Sequence, residues 1–173
     1  SRGLGDVYKR QTITSAPARF AAEIGHVPVV SSGGEPCGCG RYGCMEAYAG
    51  GRNILRRAQE RRQRSGAPFE SVMDVAKAAA AGDEGCAAVL REAADALGMA
   101  LTAAVNLFNP ATLVWGGGVV LNYPALADAA IRLLRGRSLP AALSVLDIRA
   151  AVLGPRAAAV GAALLARGTA AAE

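Results

Sequence analysis

Residues 37–44 read Cys37-Gly38-Cys39-Gly40-Arg41-Tyr42-Gly43-Cys44, and eleven positions before Cys37 stands His26, the single histidine of the chain. A structural zinc ion takes four nitrogen or sulfur ligands in a tetrahedron. Three thiolates from one compact loop and one imidazole across a foldable segment make up that set. Gly38, Gly40 and Gly43 can adopt positive φ, which lets the chain turn closely enough to aim three sulfurs inward. The alternative needs two coincidences at once, a lone hydrogen-bonded core histidine and three cysteines packed for unrelated reasons. The spacing therefore points to Zn2+ held by His26, Cys37, Cys39 and Cys44. Ions held this way contribute on the order of 10 kcal/mol to the folding of small zinc modules. With four protein ligands there is no open position for water, so such a site shapes its surroundings and activates no nucleophile.

Two carboxylates flank this set. Glu23 lies three residues before His26, and Glu46 lies two residues after Cys44. An ion joining the two segments would bring both carboxylates and a free imidazole edge to one cavity. Carboxylates accept hydrogen bonds from hydroxyl groups, which suits a polyol ligand. Ordinary surface or capping carboxylates are the competing explanation.

Working outward, 52% of the 173 residues are apolar, enough for one domain with a sizeable core. The longest apolar runs, such as 94–108, are interrupted by Gly, Thr and Asn, and none reaches the roughly 20 residues of a membrane span. The N-terminus lacks the apolar stretch of a secretory signal. A cytoplasmic location is the expectation, and in that reducing compartment the cysteines read as metal ligands rather than disulfides. Cys86, alone in a helical stretch, reads as a small core residue. The formal charge of +5 is concentrated in residues 1–11 and in 52–64, where six arginines face Glu60. The second stretch is helical in pattern, with Ile54, Leu55 and Ala58 on the apolar side, so its arginines read as a solvated face.

Residues 1–11 have no apolar periodicity and hold one of only two lysines, so they read as a tail foreign to the natural protein, with the real domain running over 12–173. Short extended pieces are expected from Thr12 to Val30, and a Gly, Cys and Pro-rich loop from Ser31 to Gly43. Helices follow from about Met45 to Arg64, from Glu70 to Ala80, and from Asp83 to Phe108, the last capped by Asp83. Leu90, Ala94, Leu97, Leu101 and Val105 give that helix one buried face. Thr112 to Trp115 reads as a buried strand, Tyr123 to Leu134 as a helix, and Ser144 to Leu153 as another strand. Pro155 suits the first turn of a last helix ending near Arg167. Alternating strands and helices indicate an α/β architecture.

The string Glu23-Ile-Gly-His26, followed by Cys37-Gly-Cys-Gly-Arg-Tyr-Gly-Cys44-Met-Glu46, resembles the signature of the ROK family of sugar kinases and sugar-responsive repressors. The resemblance runs from Thr12 to about Arg167 and includes Asn-Leu-Phe-Asn-Pro-Ala-Thr-Leu-Val-Trp-Gly-Gly-Gly at 106–118. It implies an actin-like ATPase (ribonuclease H-like) fold, of which this chain is the C-terminal lobe with a zinc-binding loop, the N-terminal lobe being missing. It implies that His26, Cys37, Cys39 and Cys44 bind zinc and that Glu23, His26 and Glu46 contact sugar hydroxyls. Gly116, Gly117 and Gly118, between a strand and a helix, form a tight turn on their own evidence. The resemblance gives them a place near the adenosine part of ATP.

The sequence departs from the family in lacking its glycine-rich phosphate-binding segment and the Asn-Asp pair that supplies the catalytic base. Ala16, Arg19 and Ala22 stand where glycines are favoured. The parent protein is expected to be an ATP-dependent, glucokinase-like hexose kinase using ATP with Mg2+, inactive as this fragment alone. Its expected partners are a hexose or amino-hexose, ATP and a second copy in a homodimer. The alternative is the sugar-sensing domain of a repressor, in which case DNA is a partner.

Overall fold

The computed structural model describes residues 23–63 and 66–170. The reading of residues 1–11 as a tail, the extended pieces expected before Glu23 and the positions of Ala16, Arg19 and Ala22 lie outside the described residues. So does Arg64, the expected end of the first helix. The described elements are a short 3-10 turn at Ile24–His26, then α1 (Met45–Ala49), α2 (Gly51–Arg61), α3 (Val72–Ala80) and α4 (Glu84–Phe108). After these come β1 (Thr112–Trp115), α5 (Gly118–Asn122), α6 (Pro124–Arg137), α7 (Pro140–Leu143), β2 (Asp147–Ala150) and α8 (Ala157–Ala170). β1 and β2 pair in parallel, with Thr112 opposite Asp147 and Trp115 opposite Ala150. Parallel neighbours need a crossover connection, here supplied by α5, α6 and α7. Among the described residues no helix is long and apolar enough to cross a membrane.

The long helix α4 is the spine. Asp83 caps it by accepting from the Cys86 amide at 3.0 Å, as the sequence predicts. Its burial is wider than one stripe: Cys86, Val89, Leu90, Ala93, Ala94, Ala96, Gly98, Ala100 and Val105 are all buried. Small residues make this possible, because α1, α2 and α3 pack on it as well as α6. At Gly98 a Cβ would fall 2.9 Å from the Ala130 carbonyl oxygen and from Leu133 Cβ, so α4 and α6 cross there at near backbone contact. The main core gathers Ile54, Ala58, Val75, Val89 and Leu126 around Cys86, which is fully buried as a core cysteine should be. Burial and the neighbouring Asp83 push its thiol up to about 11.

Two expectations need correction. The single helix expected from Met45 onward is two helices, broken at Gly50, whose φ of −68° and ψ of 133° are extended. A Cβ at Gly50 would lie 2.7 Å from the Glu46 carbonyl oxygen, and that same oxygen accepts from Asn53 Nδ2 at 2.9 Å. The strand expected over Ser144 to Leu153 is only four residues long, because Ser144 instead closes α7.

The arginine stretch is a third correction. Arg57 is fully buried, and its guanidinium lies 4.7 Å from the centre of the Tyr48 ring. Arg56 is half-buried and Arg61 exposed, and they reach Glu35 at 2.9 and 2.8 Å, while Arg57 and Arg61 both pair with Glu92. Glu35 and Glu92 arrive from distant parts of the chain, so no helical pattern within 52–64 shows these arginines paired.

Burial of the Glu35 carboxyl raises its pKa, but the hydrogen bond from Arg56 and the charges of Arg57 and Arg56 outweigh this and hold it below the ordinary 4.5. A carboxyl with a depressed folded-state pKa stabilises fully above its unfolded-state value and loses that contribution as pH falls through the folded value. The gap in urea stability between the wild type and Glu35→Gln should therefore stay constant above about pH 5.5 and narrow as pH falls below the ordinary value. A gap independent of pH down to the acid transition would show that the ion pairs contribute nothing.

Candidate functional site

The segment between His26 and Glu46 folds back on itself twice. Val29 and Val30 both donate to the Gly43 carbonyl, at 2.8 and 3.2 Å, and Met45 donates to Val27 at 2.9 Å. Inside this pairing the Cys37 amide donates to Arg41 at 2.8 Å, and the Gly43 amide donates to Glu35 at 2.9 Å. Gly43 has φ of +76°, and a Cβ there would fall 2.2 Å from the Val30 carbonyl oxygen, so glycine is required on both counts. These turns carry His26 from one end and Cys44 from the other to the same point.

The ligand atoms of His26, Cys37, Cys39 and Cys44 all lie within 4.8 Å of one another. His26 Nδ1 stands 3.6 Å from Cys37 Sγ, and Cys39 Sγ stands 3.7 Å from Cys44 Sγ. A tetrahedron with metal–sulfur bonds of about 2.3 Å and a metal–nitrogen bond of about 2.1 Å has sulfur–sulfur edges of about 3.8 Å and nitrogen–sulfur edges of about 3.6 Å. The donor set thus fits a four-coordinate soft or borderline metal. The thiols support the fit. Burial first, then its sulfur neighbours, pushes Cys44 up to about 12, whereas the Arg41 backbone amide helps hold Cys39 below its ordinary value. Sulfurs crowded this closely share a site most readily when a cation replaces their protons.

His26 presents Nδ1 to Cys37, which leaves Nε2 for another partner. Glu46 Oε2 lies 3.7 Å from the same Nδ1. Glu23, Gly25, His26, Cys39, Met45, Glu46 and Gly50 line one wall of a cleft of about 710 Å³. Gly116, Gly117 and Gly118 line the other wall together with Val119 and Val120. The structure therefore brings all nine of the residues singled out from the sequence to this cleft or, for Cys37 and Cys44, to the cluster beside it. Gly117 has φ of +108°, and a Cβ on it or on Gly118 would meet nothing within 4 Å, so the loop offers bare backbone to the opening. Gly116 differs: a Cβ there would lie 2.9 Å from Ala151 Cβ, so it serves β1–β2 packing.

Sequence reasoning missed the apolar lining from Met45, Ala49, Leu97, Val119 and Val120. Met45 and Val119 adjoin residues already singled out, and that adjacency was the available signal. Leu97 carried none, since it reads as one more core position of α4.

An α/β architecture of the actin-like ATPase class is shared with solved relatives. A ROK hexokinase from Thermus thermophilus superposes with a TM-score of 0.71 at 34% identity, covering 89% of this chain and 50% of that one. A ROK family glucokinase from Streptomyces griseus, solved in complex with glucose and AMPPNP, gives a TM-score of 0.66 at 32% identity over 87% of this chain and 52% of its own. The sequence matches the ROK family over residues 3–169, and the chain belongs to that family. A glucokinase of Halalkalibacterium halodurans is 32% identical over 82% of this chain and 46% of its own length. The DNA-binding transcriptional dual regulator NagC of Escherichia coli is also 32% identical, over 75% of this chain and 35% of its own. The chain spans about half the length of the glucokinases it matches.

Replacing Gly43 by Ala should destabilise the chain by about 2–4 kcal/mol, through a left-handed residue and a clash with Val30. Urea unfolding measures this, and a cost below about 0.5 kcal/mol would contradict the turn geometry.

Proposed function

We propose that the complete protein is an ATP-dependent hexose kinase of the glucokinase kind, with this chain supplying a structural zinc site, part of the sugar cradle and part of the nucleotide site. The observation that carries this reading is the single cleft that sets Glu23, His26 and Glu46 across from the Gly116–Gly118 loop. Carboxylates and the free imidazole nitrogen bind and orient sugar hydroxyls. The bare backbone of Gly117 and Gly118 lets a nucleotide approach without side-chain obstruction. In phosphoryl transfer the protein mainly positions the reactants and stabilises charge. The aspartate that deprotonates the sugar hydroxyl, and the contacts to ATP with Mg2+ that complete the site, belong in this reading to the part of the protein beyond these residues.

His26, Cys37, Cys39 and Cys44 would hold the zinc, whose chemistry there is structural: it fixes the loop and so the spacing of the carboxylates. Elemental analysis should find one zinc per chain. Its removal by a chelator should lower Tm by more than about 10 °C, given the size of metal contributions in such loops. Metal-free protein with unchanged Tm would overturn the zinc assignment.

The similarity to NagC supports a second reading, a sugar-sensing repressor domain that uses the same cradle. Turnover separates the two. The full-length protein should phosphorylate glucose or an amino-hexose with ATP, while residues 1–173 alone should not. In the full-length protein, Glu46→Gln should raise KM for the sugar about 10- to 100-fold, as loss of a charged hydrogen bond does, and leave KM for ATP within about threefold. Sugar binding without turnover across common hexoses, together with specific DNA binding, would establish the repressor instead.

A further inference from the structure

The most heavily built polar cluster among the described residues lies outside the cleft, behind the loop of 37–44. Glu35 stands two residues before Cys37 and makes contacts with every element around it. Its amide donates to the Tyr48 hydroxyl at 2.9 Å, and its carbonyl accepts from Gly43 at 2.9 Å. Its carboxylate accepts from Arg56 at 2.9 Å and from Arg61 at 2.8 Å, and Arg57 Nε approaches it at 3.3 Å. Arg57 itself is fully enclosed. It stacks on Tyr48, lies 3.5 Å from the Tyr48 carbonyl through Nη1, and pairs with Glu92 of α4 through Nη2. Its buried Nε makes no hydrogen bond, so the approach to Glu35 is an ion contact at a poor angle.

We propose that Glu35 is a positioning residue for the metal loop and, through it, for the carboxylate of Glu46, with Arg57 as its buried anchor. The inference rests on the zinc reading of the four ligands. Tyr48 shares α1 with Glu46, and Cys37 follows Glu35 by two residues; the Glu35 amide reaches Tyr48 directly, and its carboxylate holds α2 through Arg56, Arg57 and Arg61, with Arg57 in turn stacked on Tyr48. Half-exposed ion pairs gathered around one buried guanidinium give little net stability, because solvent screens the outer pairs and desolvation of the inner one offsets its attraction. It does impose geometry: guanidinium forks accept only particular placements of their partners. Three guanidiniums here meet three carboxylates, Glu35, Glu60 and Glu92, so the charge is balanced only when the loop is seated. The order of ligands in the loop fixes which atoms can bind a metal. The cluster fixes where that bound loop stands relative to α1, α2 and α4.

The test uses the whole chain and the full-length protein. Glu35→Gln keeps the shape and the two backbone hydrogen bonds but removes the charge. Arg57→Lys keeps the charge but removes the fork, and Arg52→Ala, on an exposed arginine of α2, is the control. Zinc loss to a chromophoric chelator and the thiolate absorption band of the Co2+-loaded chain are recorded for each. Glu35→Gln and Arg57→Lys should release zinc at least about tenfold faster and shift the Co2+ band, with Arg52→Ala matching the wild type. In the full-length protein, Glu35→Gln should raise KM for the sugar at least about fivefold and leave KM for ATP unchanged.

Zinc release and Co2+ spectra identical to the wild type, with only a lowered Tm, would reduce the cluster to general stability and overturn the proposal. The same holds if both variants fail to fold even in excess zinc. A wild-type chain that takes up no zinc would overturn the zinc reading and this inference with it, whereas variants that behave like a zinc-loaded wild type would overturn this inference alone.

Discussion

The convergence of one imidazole and three sulfurs on a volume a few ångströms across is the constraint from which the rest of the site follows. His26 ends a single 3-10 turn and Cys44 immediately precedes α1, so bringing them together fixes the start of the helical body relative to the segment before it. Glu23 and Glu46 lie just outside those two points. Their separation therefore follows from how these two points are brought together. The loop has only a small core of its own, Cys37, Cys44, Ala47, Tyr48 and Ala96, and two of those five are themselves ligands. Apolar burial on this scale cannot order a Gly-rich loop of some twenty residues against its conformational entropy, which makes the tetrahedral donor set the dominant local term.

The convergence of His26, Cys37, Cys39 and Cys44 was legible because its signal is local: three cysteines in eight positions, glycines between them, and a single histidine nearby. The spine helix was legible for the same kind of reason, a sustained 3.6-residue period with Asp83 at its start. The bounds of β1 and the glycine loop after it were also placed from the sequence, but the burial expected of that strand was not met, Thr112 and Val114 being exposed. What local pattern could not show was anything decided by partners far along the chain. Arg57 looks in sequence like its neighbours Arg56 and Arg61, yet only Arg57 is enclosed, because Glu92 approaches from 35 residues away and Tyr48 lies beneath it. Likewise the break at Gly50 is not a matter of propensity alone. A second glycine follows it, and Asn53 Nδ2 shares the Glu46 carbonyl with the Gly50 amide that ends α1.

The cleft shows a related division. Its polar groups could be named from the sequence, since carboxylates beside metal ligands stand out against an apolar background. Its apolar floor could not, because Leu97, Val119 and Val120 have the same composition as the core they adjoin. Binding sites combine a few placed polar groups with such a lining, and only the placed groups leave a trace in one sequence.

The two walls of the cleft also differ in how they are held, and this bears on how a ligand would be recognised. The side with Glu23, His26 and Glu46 is held by the turns that gather His26, Cys37, Cys39 and Cys44 and, behind them, by the charged cluster around Glu35. The side with Gly117 and Gly118 is held by its place at the end of β1, with Gly116 against Ala151, and by α5, where Leu121 and Asn122 donate to the Gly117 and Gly118 carbonyls and Val120 is buried in the main core. A rigid wall rich in acceptors discriminates among hydroxyl arrangements, because a misplaced hydroxyl leaves a buried acceptor unpaired at a cost of about 1–3 kcal/mol. A wall of bare backbone discriminates by clearance, admitting any group that approaches closely. Under the proposed kinase reading, stereochemical selection falls to the acceptor-rich His26 side, and the glycine side admits a phosphoryl donor common to many reactions.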